Sequence, residues 1–267
     1  AAPLCAGGFP EGNPEDGHVV IEEHSSGPPD TWQRVHEAPP LEEDAVHVWL
    51  VRVAPLLETR ASLSMQLESA SSDRPASGSF PLSRDEFERA RTMREPARSR
   101  FVVTRSALRS HLAAYLGCAA CDVGFDYGEM GKPHLRSGER LHFSVAHTGD
   151  LALLAFARQA PVGVDVERTR AVPRKRRIAR RVLAPGSADA LDRIPPGERD
   201  DAFIWAWTQR EAYVKAIGSG LLRSPDPLPF VWPPRTHASA GWQVVPLPVT
   251  PGFHACLVIH GTARTIR

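Results

Sequence analysis

The chain has 267 residues, enough for one large domain or two small ones with a sizeable buried core. Its 32 Lys and Arg nearly balance 31 Asp and Glu, and a net charge of +1 gives no global field that would indicate a nucleic-acid or membrane partner. The longest apolar run, residues 151–157, is too short to span a bilayer, and the first residues lack the basic start and apolar core of a signal peptide. We therefore expect a globular, cytoplasmic protein.

The first part of the chain passes from an unpatterned segment to regular structure. Residues 1–43 are rich in Pro, Gly, Glu and Ser without sustained hydrophobic periodicity, which predicts a loosely ordered extension. An apolar stretch from His47 to Leu57 predicts the opening strand. Ser83-Arg-Asp-Glu86 has the form of a capping box at the start of a short helix. A longer helix is predicted over Phe101 to Leu116, with Gly117 ending it.

Strands are predicted after this helix. Apolar segments at Val123 to Tyr127, Leu141 to Val145 and Leu151 to Ala157 each have the length of a strand. A polar turn containing Gly149-Asp150 separates the last two, so we expect them to pair antiparallel. Residues 162–167, Val-Gly-Val-Asp-Val-Glu, alternate and predict a further strand.

The order of elements recurs in the second half of the chain. The predicted elements are a basic helix at Pro173 to Leu183, a helix at Asp201 to Ile217, and strands at Trp242 to Val245 and His254 to His260. Each of the two long helices leads to a glycine, Gly117 or Gly218, and precedes strands. This repetition predicts an α+β fold made by pseudo-twofold duplication, with one half at residues 44–160 and the other at 161–267.

Three carboxylates in the second half suggest a cation site. The alternation in residues 162–167 sends three valines to one face of the strand and Asp165 with Glu167 to the other. Glu211 lies four residues before Lys215, so both lie along one stripe of the second long helix. Hard oxygen ligands beside a lysine are typical of metal-assisted phosphoryl transfer.

Lysine is rare in this chain, and its positions favour the same interpretation. Only three of the 32 Lys and Arg residues are lysine, and two of these, Lys132 and Lys215, lie in candidate motifs. A compact ammonium reaches phosphate as a point charge, whereas arginine binds through a planar fork. His147, in Phe143-Ser-Val-Ala-His147-Thr148, is a further candidate for phosphate contact.

Each motif also has an ordinary structural explanation when it is taken alone. Asp165 and Glu167 could form the solvated face of an edge strand. Glu211 and Lys215 could form a surface salt bridge that stabilises the helix by about 0.3 to 0.5 kcal/mol. His147 could be a hydrogen-bonded turn residue. Only the combination of motifs favours a phosphate site.

Four ordered motifs carry a resemblance to a known family. They are Gly131-Lys132-Pro133, Phe143-Ser-Val-Ala-His147-Thr148, Val162-Gly-Val-Asp165-Val-Glu167 and Trp207-Thr-Gln-Arg-Glu211-Ala-Tyr-Val-Lys215. Between about Pro81 and Leu222 the chain resembles the Sfp-type 4′-phosphopantetheinyl transferases, which prime acyl and peptidyl carrier proteins. The resemblance implies two α+β halves, with coenzyme A and Mg²⁺ in the cleft between them.

The resemblance also implies roles for single residues. Asp165, Glu167 and Glu211 would hold Mg²⁺; Lys132, His147 and Lys215 would contact the phosphates of coenzyme A; and Arg91 would contact its 3′-phosphate, with Arg89 and Arg94 as alternatives. Ser144 would belong to the same coenzyme-binding set, at a position that is often asparagine. The chain departs from the family at Ala146, which replaces a usual serine, and at Arg210, where lysine is common.

The implied reaction transfers 4′-phosphopantetheine from coenzyme A to a serine of an apo carrier protein and leaves adenosine 3′,5′-bisphosphate. Glu211, Lys215 and His147 would be catalytic, and the serine proton would pass to Glu211 or to a metal-bound water. The expected partners are coenzyme A and an acyl or peptidyl carrier protein, without nucleic acid or membrane. Because one chain supplies both halves of the cleft, we expect a monomer to be sufficient.

Two other functions are compatible with the same residues. A noncatalytic protein that binds nucleotide or nucleic acid would use Lys132 and Lys215, but the carboxylates would repel phosphate unless a divalent cation intervened. A Mg²⁺-dependent diphosphate hydrolase would use water in place of the carrier serine.

The basic segment Arg174-Lys-Arg-Arg177 is either a solvated helix face or a docking surface for an acidic carrier protein. Cys118-x-x-Cys121 lacks a second pair at zinc-site spacing, which favours reduced thiols over a redox pair.

Overall fold

The computed structural model describes residues 21–24, 32–34, 38–53, 80–220, 227–261 and 265–267. The chain divides into two compact units. The first holds the described residues within Arg34–Pro40 and Val51–Gly124, together with Ile21, and the second holds those within Glu22–Gln33, Leu41–Leu50 and Phe125–Arg267. The boundary expected between two halves, at residue 160, falls inside the second unit. No helix in the described part of the chain is long and apolar enough to cross a membrane.

Two helices form the first unit, α1 (Arg84–Thr92) and α2 (Ala97–Leu116), followed by a 3-10 helix at Ala120–Asp122. The predicted capping box is confirmed, because the Ser83 backbone N–H donates to Glu86 Oε2 at 2.9 Å and the Glu86 N–H donates to Ser83 Oγ at 3.4 Å. Helix α2 begins four residues before the predicted Phe101. Its first turn is polar, so it lacks the apolar spacing from which the start of the helix was predicted. Within this turn the Ser99 hydroxyl donates to the Glu95 carboxylate at 2.6 Å.

Strands form most of the second unit. In chain order they are β1 (Ile21–His24), β2 (Trp32–Arg34), β3 (Ala45–Arg52), β4 (Phe125–Tyr127), β5 (Pro133–Leu135), β6 (His142–Thr148), β7 (Leu151–Ala157), β8 (Val162–Arg168), β9 (His237–Ser239), β10 (Trp242–Leu247), β11 (Phe253–His260) and β12 (Thr265–Ile266). One sheet has the order β2-β1-β3-β7-β6, with β12 parallel to β3. A second sheet, of order β8-β11-β10-β9, is antiparallel throughout, and β4 pairs with β5.

Strands β1 and β2 lie in the segment that the sequence predicted to be loosely ordered. The indole N–H of Trp32 donates to the Pro248 carbonyl at 2.6 Å, which ties β2 to a distant part of the chain. Strands of three or four residues are too short to show a periodic hydrophobic pattern. The prediction of loose order therefore followed from the amino-acid composition of the whole segment. The rest of the predicted extension up to residue 37, and residues 54–57 of the predicted opening strand, lie outside the described residues.

The β6–β7 hairpin is as predicted. Thr148 lies opposite Leu151, so Gly149 and Asp150 form the turn, with Gly149 at φ 55°. The two strands contribute to a hydrophobic cluster that also contains the valines of β8 and residues of β3 and β11. Strand β8 is thereby packed against the first sheet as well as paired with β11.

Three helices complete the second unit, α3 (Lys175–Val182), α4 (Ser187–Arg193) and α5 (Arg199–Ile217). The predicted helices at 173–183 and 201–217 are confirmed within two residues at each end. The first half of α5 packs with α3 and α4 around Phe203 and Ile204. Its second half packs on β10 and β11 through Ala212, Tyr213 and Ala216. This burial fixes the helix that carries Glu211 and Lys215.

The two long helices end alike. Gly117 after α2 and Gly218 after α5 adopt left-handed conformations, with φ of 67° and 79°, and their N–H groups bond the carbonyls of Ala113 and Val214. A mixed helix-and-sheet fold is therefore confirmed, and both glycine caps were correctly predicted. The pseudo-twofold relation between the two halves stays a prediction.

Candidate functional site

Strand β8 separates core from site. Val162, Val164 and Val166 are almost completely buried and join the hydrophobic cluster of the first sheet. Asp165 and Glu167 alternate with them and lie on the opposite face, as the period of two predicted. The valines thus hold the strand in a register that places both carboxylates toward helix α5.

Gly163 allows α5 to approach this face closely. A Cβ atom at position 163 would overlap the carbonyl oxygen of Ala212 and the backbone nitrogen of Ala216. Only a residue without a side chain fits such a contact between strand and helix. Glu211 and Lys215 each precede one of these alanines, so the close approach brings both of them to the carboxylate face of β8.

Asp165 and Lys215 form a largely buried ion pair. Lys215 Nζ lies 2.6 Å from Asp165 Oδ1, and the exposed fractions of the two side chains are 31% and 8%. The other oxygen, Oδ2, is buried and accepts no hydrogen bond from any described residue. Burial raises the pKa of Asp165 to about 7; Lys215 opposes this shift, and the carboxylates of Glu167 and Glu211 add to it.

Glu211 and Glu167 complete the predicted carboxylate trio. Burial raises the pKa of Glu211, Lys215 and Arg210 oppose the shift, and the Glu167 carboxylate adds to it. Glu167 Oε2 is paired with Arg170 Nη1 at 3.0 Å. The structure therefore brings the three carboxylates close enough to repel one another, at one end of α5.

The β4–β5 hairpin brings Lys132 to the same helix. Gly131, at φ 77°, donates its N–H to the Gly128 carbonyl at 2.8 Å, and the Gly128 N–H donates to the Lys132 carbonyl at 3.0 Å. The Lys132 ammonium donates to the backbone carbonyls of Lys215 and Ala216. Burial lowers the pKa of Lys132 to about 8.

A cavity of about 320 Å³ lies between these elements of the second unit. Its polar lining is Lys132, Ser144, Glu211 and Lys215, and its apolar lining is Met130, Pro133, Phe143, Val145 and Val214, with three glycines. Residues from both predicted halves, 44–160 and 161–267, line it. The size lies at the lower end of the range for small-molecule sites, so it suits one part of a large cofactor.

Ser144 and His147 on β6 differ in their surroundings. Ser144 lines the cavity and is almost fully buried, and its Oγ accepts the Val164 N–H at 3.1 Å, which joins β6 to β8. His147 is exposed on the same strand, opposite Ala152, and is not among the residues that line the cavity.

Arg91 belongs to the first unit. It is exposed on α1, and its Nη1 lies 3.7 Å from Glu88 Oε1. Arg89 lies on the same helix with its guanidinium 5.0 Å from the ring centre of Phe101. The role of this segment in binding a 3′-phosphate stays a prediction.

The carboxylate trio fits Mg²⁺ by its chemistry. Among the described residues, no three Asp, Glu, His or Cys side chains stand ready to enclose a metal ion. Asp165 Oδ2 nevertheless accepts no hydrogen bond from the described residues, and neighbouring carboxylates raise the pKa values of Asp165 and Glu211, a repulsion that a divalent cation would relieve. Mg²⁺ prefers such oxygen ligands and usually takes its remaining ligands from water and phosphate.

Comparison with known proteins connects the site with one family. The model of the 4′-phosphopantetheinyl transferase superfamily matches residues 161–249, which contain the carboxylate trio and Lys215. The 4′-phosphopantetheinyl transferase HetI of Nostoc sp. is 34% identical over 186 residues, or 67% of this chain and 71% of the relative. The 4′-phosphopantetheinyl transferase Sfp of Bacillus subtilis is 29% identical over 154 residues, or 53% of this chain and 67% of the relative.

The fold and the site define a mixed helix-and-sheet protein with carboxylates and lysines around one cavity. The extent of the match with HetI assigns the family: the chain belongs to the 4′-phosphopantetheinyl transferases. The resemblance inferred from the four motifs is thereby confirmed. A relative from Synechocystis sp. is 34% identical over 143 residues, and the chain spans only 58% of its length.

Some contributors to the site were missed in the sequence. Met130 lines the cavity outside the quoted motifs, and Phe143, Val145 and Val214 lie inside them without having been given a role, because apolar residues are expected in any core. Gly163 did carry a signal, since a glycine inside a strand indicates close approach of another backbone. The ion pair between Lys215 and Asp165 joins residues 50 positions apart, and no local pattern indicates it.

Proposed function

We propose that this protein transfers the 4′-phosphopantetheinyl group of coenzyme A to a serine of an apo acyl or peptidyl carrier protein, with Mg²⁺, and releases adenosine 3′,5′-bisphosphate. The observation that carries the proposal is the Lys215–Asp165 ion pair beside Glu211, at the wall of a cavity. Family membership and the names of HetI and Sfp support the reaction class. The composition is compatible with a cytoplasmic enzyme.

Asp165, Glu167 and Glu211 would hold Mg²⁺, which when bound neutralises charge on the diphosphate of coenzyme A. Lys215 is held on one side by Asp165 and is nearly one-third exposed, so its ammonium can face a phosphate in the cavity. An in-line displacement at phosphorus needs mainly positioning and charge neutralisation. His147 would contact a phosphate of coenzyme A, and Arg91 its 3′-phosphate.

Glu211 is suited to receive the proton of the attacking serine. It lines the cavity, and burial and the neighbouring Glu167 raise its pKa, which makes it a stronger base than an exposed glutamate. The serine hydroxyl loses its proton to Glu211 as its oxygen bonds to phosphorus. The bond from that phosphorus to the leaving adenosine bisphosphate breaks, and the products are holo carrier protein and adenosine 3′,5′-bisphosphate.

The reaction class is tested by product analysis. Coenzyme A and Mg²⁺ are incubated with the protein, with and without an apo carrier protein, and nucleotides are separated by chromatography. We expect adenosine 3′,5′-bisphosphate only when the carrier is present. Its release without carrier would instead indicate a diphosphate hydrolase, and coenzyme A that binds without being consumed would indicate a noncatalytic binding protein.

A further inference from the structure

The ammonium group of Lys132 is directed at the end of helix α5. Lys132 Nζ donates to the carbonyl oxygen of Lys215 and, at 3.4 Å, to that of Ala216. Both carbonyls lie in the last turn of α5, where a helix supplies no amide partners of its own. A cation is also favourable there, because the C-terminal end of a helix carries partial negative charge.

The hairpin holds Lys132 in place for this contact. Tyr127 pairs with Pro133, and the turn between them is closed by the two backbone hydrogen bonds between Gly128 and residues Gly131 and Lys132. The left-handed φ of 77° at Gly131 is easily adopted only by glycine. The hairpin therefore fixes the backbone of Lys132, from which the side chain extends to α5.

The stem of Lys132 packs against the turn that follows α5. A Cβ atom at Gly218 would lie 3.4 Å from Lys132 Cδ, so the methylene chain runs directly beside this glycine. Burial of the side chain lowers the pKa of the ammonium, which makes the two carbonyl acceptors important for keeping it charged. A single ammonium can donate to both carbonyls at once, because it carries three N–H donors.

We propose that Lys132 is a positioning residue that fastens the last turn of α5, and with it Glu211 and Lys215, and that it does not act by contacting the phosphates of coenzyme A. The family resemblance had suggested phosphate contact. In the structure, Lys132 Nζ lies within hydrogen-bond distance of two helix carbonyls. The catalytic consequence rests on the proposed transfer reaction, but the fastening of the helix does not.

The two roles predict different changes on substitution. A phosphate contact contributes to coenzyme A binding, so its loss weakens affinity. A helix fastener contributes to the order of the last turn, so its loss lets that turn open locally and misplaces Lys215 even when coenzyme A is absent. Loss of a phosphate contact alone leaves the coenzyme-free helix unchanged. Amide hydrogen exchange at residues 215–218 reports this opening directly.

The test compares Lys132→Met, which keeps the stem, with Lys132→Gln, which keeps an N–H donor without the charge. Arg140→Met, which removes an exposed cation beyond the same hairpin, is the control. In Lys132→Met without coenzyme A we expect exchange at residues 215–218 to rise about tenfold, and we expect the kcat of transfer to fall about tenfold. Lys132→Gln should recover part of both losses, and Arg140→Met should match the wild type.

An unchanged exchange rate or an unchanged kcat in Lys132→Met would overturn the proposal. A Kd of coenzyme A that rises about tenfold or more while exchange stays at the wild-type rate would show a lost phosphate contact instead. If the wild type transfers nothing to any carrier, the proposed reaction fails, while the exchange experiment still decides whether Lys132 fastens α5. The two failures are therefore distinguishable.

Discussion

Lys215 is held by a buried carboxylate and is at the same time open to the cavity. Replacement by Met keeps much of the apolar stem but removes the ammonium that lies 2.6 Å from Asp165. We expect transfer to fall by about a hundredfold or more, as when a donor to developing charge is removed. The pKa of Asp165 should rise further, because Lys215 opposes the effect of burial.

The control for Lys215→Met is Lys175→Met. Lys175 is also a lysine in an ion pair, with Asp200 at 2.9 Å, but it lies on α3. Transfer rates measured for both variants decide the role of Lys215. Equal, small losses would return Lys215 to the class of ordinary helix salt bridges.

His47 predicts a pH dependence of stability. It is fully buried on β3, and burial, with Arg267 as a smaller cause, lowers its pKa from 6.5 to about 4. As the pH falls from 6.5 to 4, the unfolded chain binds a proton that the folded chain does not, so folding loses up to about 3 kcal/mol from this residue. This contribution is fully present above pH 6.5.

Urea unfolding at pH 7.5 and pH 5 measures this effect. The loss of stability between the two pH values should be smaller in His47→Gln than in the wild type. The exposed His134 provides the control, and His134→Gln should keep the wild-type difference. If His47→Gln also keeps it, the titration of His47 is not the cause.

At the scale of elements, the contact between β8 and α5 determines whether the site forms. Gly163→Ala would force a methyl group into the backbone of Ala212 and Ala216, which can only be relieved by moving the helix. We expect a stability loss of about 3 kcal/mol or more and a loss of transfer. Gly197→Ala is the matched control, because a Cβ there meets nothing within 4 Å and φ is not left-handed. A Gly163→Ala variant as stable as this control would contradict the close packing.

Helix α3 presents an arginine surface, which we define as Arg174, Arg177, Arg180 and Arg181. All four are exposed, and none forms an ion pair with any described residue, whereas Arg176 pairs with Asp189 and Asp192. Unpaired charge of one sign speeds encounter with a partner of opposite sign. The sequence had suggested an acidic carrier protein as that partner.

Charge reversal tests this surface. Arg177→Glu with Arg181→Glu should lower kcat/KM for an acidic carrier about tenfold at low salt and reduce its salt dependence, with the KM of coenzyme A unchanged. Arg140→Glu with Arg193→Glu changes the net charge equally at two other exposed positions and should have little effect. Equal losses in both double variants would show that only net charge matters.

At the scale of the whole molecule, local patterns predicted the elements and distant contacts completed the site. The sequence was sufficient to predict the alternation of β8, the capping box at Ser83 and the glycines that end the long helices, because each depends on neighbouring residues. The apolar lining of the cavity and the contact of Lys132 with α5 were not, because they depend on how hairpin, strand and helix meet. Charged residues in local motifs were thus easier to predict than the contacts that hold them in place.

Intact-mass spectrometry of an apo carrier protein, incubated with this protein, coenzyme A and Mg²⁺, is the most direct test of the proposed function. We predict a mass gain of one phosphopantetheinyl group, which is lost with a chelator and with Asp165→Ala. Asp150→Ala, which removes an exposed carboxylate in the β6–β7 turn, should retain it. No gain on acyl or peptidyl carriers, or a gain that survives in Asp165→Ala, would contradict the assignment of the reaction to this site.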